Sequence, residues 1–484
     1  MRKWPRIIGA IACAVGMAAC ERSRSTDGDR PSLLLAVLDT TRMDAVSAYG
    51  FVDGTTPTID ALARDGLLYQ WALAPAPWTL PSHATLFTSL GPEQHGVGVA
   101  GRMVLGGDYP TLAERLRAAG YETLGFSENP IVGAQLGLAR GFDHFEGESD
   151  AAAARKADPT AGFDVVLGVT RWAERRSGER PFFVFVNLFD PHDPYAMHDE
   201  HSYLPAGTDL EDARRMSRAD RLRGIAESAG ICDHLPPRRE LEIMRGLYLG
   251  EVASADAKLG RILDALRAAA RGPLVTIVTA DHGEHLGEHG LLGHEFSLRG
   301  EVLRVPLIVH GLPGGRPAVI SSAVGLGDVA PSLLRWLALE PPAAWSAGHL
   351  PLGPEASSEM RAMRALYADA PLIAPEGMRT DHAVQASRRR RGCGDRNRVF
   401  GEILSLVRFP FKLVWFERYR AQLYDLRWDP RELSDIARYQ PERVEGMVRE
   451  LSSWRDRLAA IGAEAGQAAP PEAIEALRAL GYIE

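Results

Sequence analysis

The apolar residues of this chain fall into short unbroken runs separated by amphipathic stretches. Ser32–Leu38, Leu274–Thr279 and residues 67–72, 121–126, 181–189 and 305–309 are such runs. Runs of this length with little polar alternation predict strands buried on both faces, the pattern of a parallel sheet. Between them the period changes to that of helices. Residues 58–63 read as a short helix with Thr58 as N-cap and Gly66 as its stop. Residues 111–119 and 328–337 read as two more, and across 240–270 Met244, Ala255, Leu259, Ile262 and Leu266 fall on one stripe. Ser82 is placed to cap a helix running through Leu86 and Phe87, after a stretch stiffened by Pro75, Pro77 and Pro81. Thr79 then stands at or just before a helix N-terminus, where free N–H groups favour an anion. Strands alternating with helices predict an α/β fold: a doubly wound, mostly parallel sheet with helices on both faces. From about residue 345 the pattern loosens. Residues 399–424 alternate as antiparallel strands do and 433–458 are helical, which predicts a smaller C-terminal α+β part. Residues 196–238 are polar and irregular, an insertion over one rim of the sheet.

The first residues follow a different rule. Arg2, Lys3 and Arg6 precede a short run of apolar and small residues ending in Met17-Ala18-Ala19-Cys20. This is the form of an export signal. The last four residues resemble a bacterial lipobox, with methionine in place of the usual leucine, and the resemblance implies acylation of Cys20. The expected division is a signal peptide over 1–19, a flexible tether over 20–31, a catalytic domain over 32–344 and a C-terminal subdomain over 345–484. The expected location is periplasmic or cell-surface, with attachment to the membrane through a lipid on Cys20. An ordinary cleaved signal would give the same export without the anchor. Export permits a disulfide between the two remaining cysteines, Cys232 and Cys393. The net charge of −8 argues against a nucleic-acid partner. Arg388 to Arg391 read as a solvated charge run.

Candidate chemistry gathers where two of the buried runs stop. Ser32–Leu38 is followed by Asp39, and Leu274–Thr279 by Ala280-Asp281-His282-Gly283-Glu284. Four of the 14 histidines, His282, His285, His289 and His294, lie in this second segment. Open α/β sheets place ligand chemistry at the carboxyl ends of their strands. Two strand-end aspartates, one with an adjacent imidazole, therefore point to a metal or catalytic site; a polar loop capping a strand is the plain alternative. Oxygen ligands suit Ca²⁺ or Mg²⁺, and an imidazole in the set admits Mn²⁺ or Zn²⁺.

Several motifs in order resemble the sulfatase family of the alkaline phosphatase superfamily. They are Leu38-Asp39-Thr40-Thr41-Arg42, Pro77-Trp78-Thr79-Leu80-Pro81-Ser82-His83, Asp190-Pro191-His192, Asp281-His282-Gly283-Glu284, Leu286-Gly287-Glu288-His289-Gly290, Gly293-His294, Gln422-Leu423-Tyr424-Asp425 and Leu480-Gly481-Tyr482. The resemblance implies one metal ion at Asp39, Asp281 and His282, with Thr79 as nucleophile and close enough to join them. It implies that His192 and His294 contact the transferred anion or protonate the leaving oxygen, and that His83 stands where an arginine usually steadies the nucleophile. Asn129 is a further candidate donor to the anion. Besides His83, four further departures stand out. Thr40 replaces a second metal-binding aspartate. Thr79 replaces cysteine or serine. Ser127-Glu128-Asn129 occupies the place of a lysine–histidine pair, and Arg299 that of a tyrosine.

The implied activity is metal-dependent hydrolysis of sulfate or phosphate esters of a small molecule, glycan or lipid. Sulfatases oxidise their cysteine or serine to an aldehyde whose hydrate carries the sulfate. Oxidised threonine would be a ketone, which hydrates poorly, so phosphoesters are favoured on chemistry. A sulfuric ester hydrolase, or a surface lipoprotein that kept the fold without the activity, are the competing expectations.

Overall fold

The computed structural model describes residues 30–99, 102–147, 163–218, 235–294, 297–345, 348, 350–352, 365–370, 402–463 and 469–479. The signal segment, Cys20, most of the tether, Cys232, Arg388 to Arg391, Cys393 and Leu480-Gly481-Tyr482 lie outside them.

Strands β1 (Ser32–Leu38), β2 (Leu67–Leu73), β3 (Glu122–Ser127), β4 (His144–Gly147), β5 (Phe182–Leu188) and β6 (Leu274–Thr279) coincide with apolar runs in all but β4. A hairpin of β7 (His285–Leu286) and β8 (Leu292–Gly293) follows β6. Then come β9 (Arg304–Val305), β10 (Leu307–His310) and β11 (Ala318–Gly325). The main sheet has nine strands in the order β11-β2-β10-β6-β1-β5-β3-β4, with β9 on β2. From β6 to β4 every pairing is parallel. Residues 305–309, expected as one strand, divide at Pro306. With no N–H to donate, Pro306 ends β9, and β10 then runs antiparallel between β6 and β2.

The unbroken apolar runs follow from burial on both faces. Leu33, Leu35 and Val37 pack with Phe183, Phe185 and Ile277 beneath helices Thr79–Thr88, Leu112–Ala118 and Val329–Trp336. The alternate residues Leu34, Ala36 and Leu38 pack with Val184, Val186 and Val278 beneath helices Pro57–Asp65, Val165–Arg175 and Arg238–Ala269. The fold is thus a large, mostly parallel sheet with helices on both sides.

Residue 56, not 58, is the N-cap of helix Pro57–Asp65, because Pro57 is suited to a first helical position. Helix Thr79–Thr88 likewise begins three residues before the expected Ser82 cap. Pro81 sits in its first turn, where a missing N–H costs nothing, and the Ser82 hydroxyl donates to Ala76 O (3.1 Å). Within 196–238, residues Leu210–Met216 are helical rather than irregular.

The C-terminal sheet is antiparallel: β12 (Ala365–Ala370), β13 (Ile403–Arg408), β14 (Phe411–Phe416) and β15 (Gln422–Asp425). Ile403, Val407 and Val414 face the main core, while Leu404, Leu406 and Leu413 pack on Leu451, Trp454 and Leu458 of helix Pro441–Ala463. That helix starts eight residues later than the expected 433, after a single turn at Ala437–Tyr439. Among the described residues no helix is long and apolar enough to cross a membrane.

Candidate metal and ester site

Parallel strands put their carboxyl ends on one edge, so residues just past those ends converge. Asp39 follows β1 and Asp281 and His282 follow β6, its neighbour. One ligand atom from each lies within 4.8 Å of the others, and all three residues are buried. Thr40 makes the turn at φ +48°, an unfavourable conformation for a β-branched residue. The turn is held by the Tyr248 hydroxyl, which donates to Thr40 O (3.0 Å) and accepts from Arg42 N (2.8 Å). Its outcome is that Thr40 N reaches Asp281 Oδ1.

The hydrogen bonds divide each carboxylate into an occupied and a bare oxygen. Asp281 Oδ1 accepts from Thr40 N (3.2 Å) and His282 N (2.9 Å). Asp39 Oδ2 accepts from the amides of Asn129 (2.8 Å) and Asn187 (3.2 Å). His282 Nδ1 faces Gly283 O (3.0 Å), which assigns it the proton and leaves the Nε2 lone pair. Asp39 Oδ1, Asp281 Oδ2 and His282 Nε2 are buried with no hydrogen-bond partner among the described residues, as are Thr79 Oγ1, Thr40 Oγ1 and Asn187 Oδ1. Buried polar atoms are seldom left so. Two carboxylate oxygens and one imidazole nitrogen fit a divalent cation.

Electrostatics agree. Burial, then the charge of Asp39, holds the Asp281 carboxyl well above the usual carboxylate range. Burial, then His294, holds His282 well below the usual imidazole range, and burial also lowers His83. Neutral imidazoles and two crowded carboxylates await positive charge.

Thr79 enters from the other side. It is the first residue of helix Thr79–Thr88, whose N-cap Trp78 makes no capping bond with its side chain. His83, one turn on, places Nδ1 at 3.0 Å from Thr79 O and 3.6 Å from Asp281 Oδ2. The His294 ring lies 4.5 Å from that of His282 and 5.5 Å from that of His192. Glu284 orients His294, with Oε1 at 3.1 Å from Nδ1, and its other oxygen accepts from the Tyr195 hydroxyl. His192 stacks on Phe189 (4.4 Å) and sets Nδ1 against Asp193 O (2.7 Å).

Asp39, Asp281, His282, Thr79, His83, Asn129, His192 and His294 therefore occupy one region. Two expected substrate contacts look elsewhere. The Asn129 amide binds Asp39, and both His83 nitrogens face protein atoms, Nδ1 toward Thr79 O and Nε2 toward the Asn187 amide (3.4 Å). The four histidines of the 282–294 segment also separate. His289 pairs with Glu301 (3.3 Å), and His285 is buried nearby and pushed down to about 4 by burial. His289 lines a cavity of about 400 Å³ together with Arg42, Glu288 and Arg304. Arg299 belongs to the C-terminal sheet contact, bonding Glu432 O (2.9 Å) and stacking on Tyr424 (4.9 Å).

Three contributors were not anticipated. Glu284 and Tyr195 lie inside quoted or adjacent motifs without an assigned part. Lys258, from the long helix, bridges Glu128 (2.9 Å) and Asp190 (2.8 Å), bringing a lysine beside the segment that lacks the expected pair.

The chain belongs to the sulfatase family: the family's sequence model, Sulfatase, matches residues 31–339. It is 21% identical to an arylsulfatase of Clostridium perfringens, over 84% of this chain and 90% of that one. It is 22% identical to an N-acetylglucosamine-6-O-sulfatase of Bacteroides thetaiotaomicron, over 94% and 92%. Among solved structures it is similar to a phosphonate monoester hydrolase of Agrobacterium radiobacter, with a TM-score of 0.66 and 23% identity over 89% of this chain and 96% of that one. This is an ester hydrolase of a family that uses a metal ion.

Proposed function

We propose that this protein hydrolyses phosphate esters in preference to sulfate esters, with Thr79 as nucleophile. The observation that carries the reading is the bare, buried Thr79 Oγ1 at a helix N-terminus in the same region as three bare metal-ligand atoms. When bound by Asp39, Asp281 and His282, a divalent cation supplies Lewis-acid stabilisation of the ester's anionic oxygens and of the threonine alkoxide. The carboxylate oxygens suit Ca²⁺ or Mg²⁺, and the imidazole in the set admits Mn²⁺ or Zn²⁺.

The chain's own groups do the rest. The first-turn N–H groups of helix Thr79–Thr88 receive the anion. Thr79 gives its hydroxyl proton to solvent and its Oγ attacks in line, the bond from phosphorus to the alcohol oxygen breaks, and His294 or His192 gives that oxygen a proton. Water then attacks the phosphothreonine, releasing phosphate and restoring the hydroxyl. A sulfated threonine lacks the aldehyde-forming exit that oxidised cysteine provides, so it clears slowly. The substrate class is a small-molecule, glycan or lipid ester.

Thr79→Ala should lose on the order of 10²-fold or more in rate. Intact mass after brief exposure to a phosphoester should show one phosphate on the peptide containing Thr79. Rapid sulfate release without phosphoesterase activity would establish the sulfuric ester hydrolase instead, and inertness of the metal-loaded protein to both ester classes would favour the non-catalytic reading.

We also propose export and lipid attachment at Cys20, on the strength of the basic start, apolar run and Ala18-Ala19-Cys20. Fractionation of the exporting cell should find wild type with membranes and Cys20→Ser in the soluble fraction. A wild type already soluble after export would leave only the signal peptide.

A further inference from the structure

Asn187 is the only polar side chain in β5, Phe182–Leu188, and it is fully buried. A buried amide is costly unless it is bonded. Its register partners across the sheet are Val37 and Ser127, which places it level with the end of β1. Its nitrogen lies 3.2 Å from Asp39 Oδ2 and 3.4 Å from His83 Nε2, while Oδ1 has no partner among the described residues. The orientation of the amide follows from chemistry. A carboxylate oxygen and an imidazole lone pair both repel an amide oxygen, so the NH₂ end must face them. The tautomer of His83 follows too. Thr79 O can only accept, so Nδ1 carries the proton and Nε2 accepts from Asn187.

These bonds form one line. The Thr79 carbonyl accepts from His83, His83 accepts from Asn187, and Asn187 donates its second hydrogen to Asp39. Asn129 donates to the same Asp39 oxygen. We propose that Asn187 is a positioning residue that selects the cation. With Asn129 it occupies Oδ2 of Asp39, so this carboxylate offers Oδ1 alone. Through His83 it ties the start of helix Thr79–Thr88 to that same carboxylate. The inference rests on the metal site proposed above.

The selectivity follows from coordination preferences. Ca²⁺ takes six to eight oxygens and accepts a carboxylate through both of its oxygens. Zn²⁺ and, in its place, Co²⁺ are served by fewer, shorter bonds and by imidazole. An aspartate held to one oxygen therefore favours the second group. One freed to turn narrows the difference.

The test uses the full chain stripped of metal. Zn²⁺, Co²⁺ and Ca²⁺ affinities are measured by competition, and the visible absorption of bound Co²⁺ reports its ligand geometry. Asn187→Leu keeps the volume and removes both donors. It should weaken Zn²⁺ and Co²⁺ binding by about 10–100-fold, as loss of a ligand's supporting bond does. It should weaken Ca²⁺ less and shift the Co²⁺ bands. His83→Phe should leave the Zn²⁺-to-Ca²⁺ ratio near that of wild type, because both amides remain on Asp39. Its effect on kcat should be less than additive with that of Asn187→Leu, because the two interrupt one line. Asn187→Ser, smaller and still a donor, should give an intermediate ratio and serves where leucine disturbs folding. A folded Asn187→Leu or Asn187→Ser with the wild-type ratio and unchanged Co²⁺ bands would overturn the assignment to Asn187. Failure of wild type to bind any of the three cations would instead overturn the metal site beneath it.

Discussion

Two buried charged clusters in this molecule are built on opposite plans. At the contact with the C-terminal sheet, Lys412 Nζ donates to Glu432 Oε1 (2.6 Å) and to Leu298 O (2.6 Å). Arg299 approaches the other Glu432 oxygen (3.7 Å). Positive and negative charge are both present, although Glu432 Oε2 has the Arg299 charge beside it and no hydrogen bond among the described residues. At the strand ends, Asp39 and Asp281 are equally buried, yet among the described residues only imidazoles come within ion-pair distance of Asp281. Isolated buried charge is expensive, and a protein that lacks a partner for it needs one from outside. The first cluster holds two parts of the fold together. The second has no cationic side chain other than imidazole beside Asp281 among the described residues, and the family to which the chain belongs uses a metal ion.

The contrast predicts opposite responses to losing one member. Asp281→Asn should cut metal affinity by more than the roughly 10–100-fold that follows loss of a supporting residue, and activity with it. The metal-free variant should melt no lower than metal-free wild type, because one of two repelling carboxylates has gone. Metal content and melting of stripped protein measure both halves. Full metal content with full activity would break the metal assignment. Lys412→Met should do the reverse. Removing one partner of a buried pair costs about 3–5 kcal/mol, which denaturant titration would read, while metal affinity stays at the wild-type value. Undiminished stability there would mean that this cluster is not structural.

How much of this was legible in the chain depends on where each signal sits. The strands were legible because burial on both faces leaves unbroken apolar runs, and β1 and β6 fall on their expected residues. Pro306 split one strand because a missing N–H matters only once a pairing partner exists, and pairing is not written locally. Asp39, Asp281 and His282 were legible as polar residues that end apolar runs. Asn187 was not, although a lone amide inside an apolar strand is a signal of the same kind. Lys258 could not be found by motif: it lies 130 residues from Glu128 in sequence and arrives on another element. His285 and His289 were grouped with His282 by proximity in sequence, but the β7–β8 hairpin carries His289 away to Glu301.

A third arrangement of buried carboxylate lies between the two plans and gives the smallest effect. Asp256, on helix Arg238–Ala269, accepts from Thr58 N and Ile59 N, each at 2.9 Å, and so holds the start of helix Pro57–Asp65. It has neutral donors but no cation, and burial pushes its carboxyl up from 3.8 to about 6. The folded state therefore binds this proton more tightly than the unfolded state does. The associated stability is complete below the ordinary carboxylate pKa and is lost as pH rises through about 6. Asp256→Asn has no proton to lose. Relative to wild type it should gain on the order of 1–3 kcal/mol between pH 4 and pH 7. Denaturation midpoints of both proteins across that range would read it. A wild-type-to-variant difference that stays flat would mean that the two helix N–H groups neutralise this carboxylate as fully as Lys412 neutralises Glu432, and that a helix start alone can complete a buried charge here.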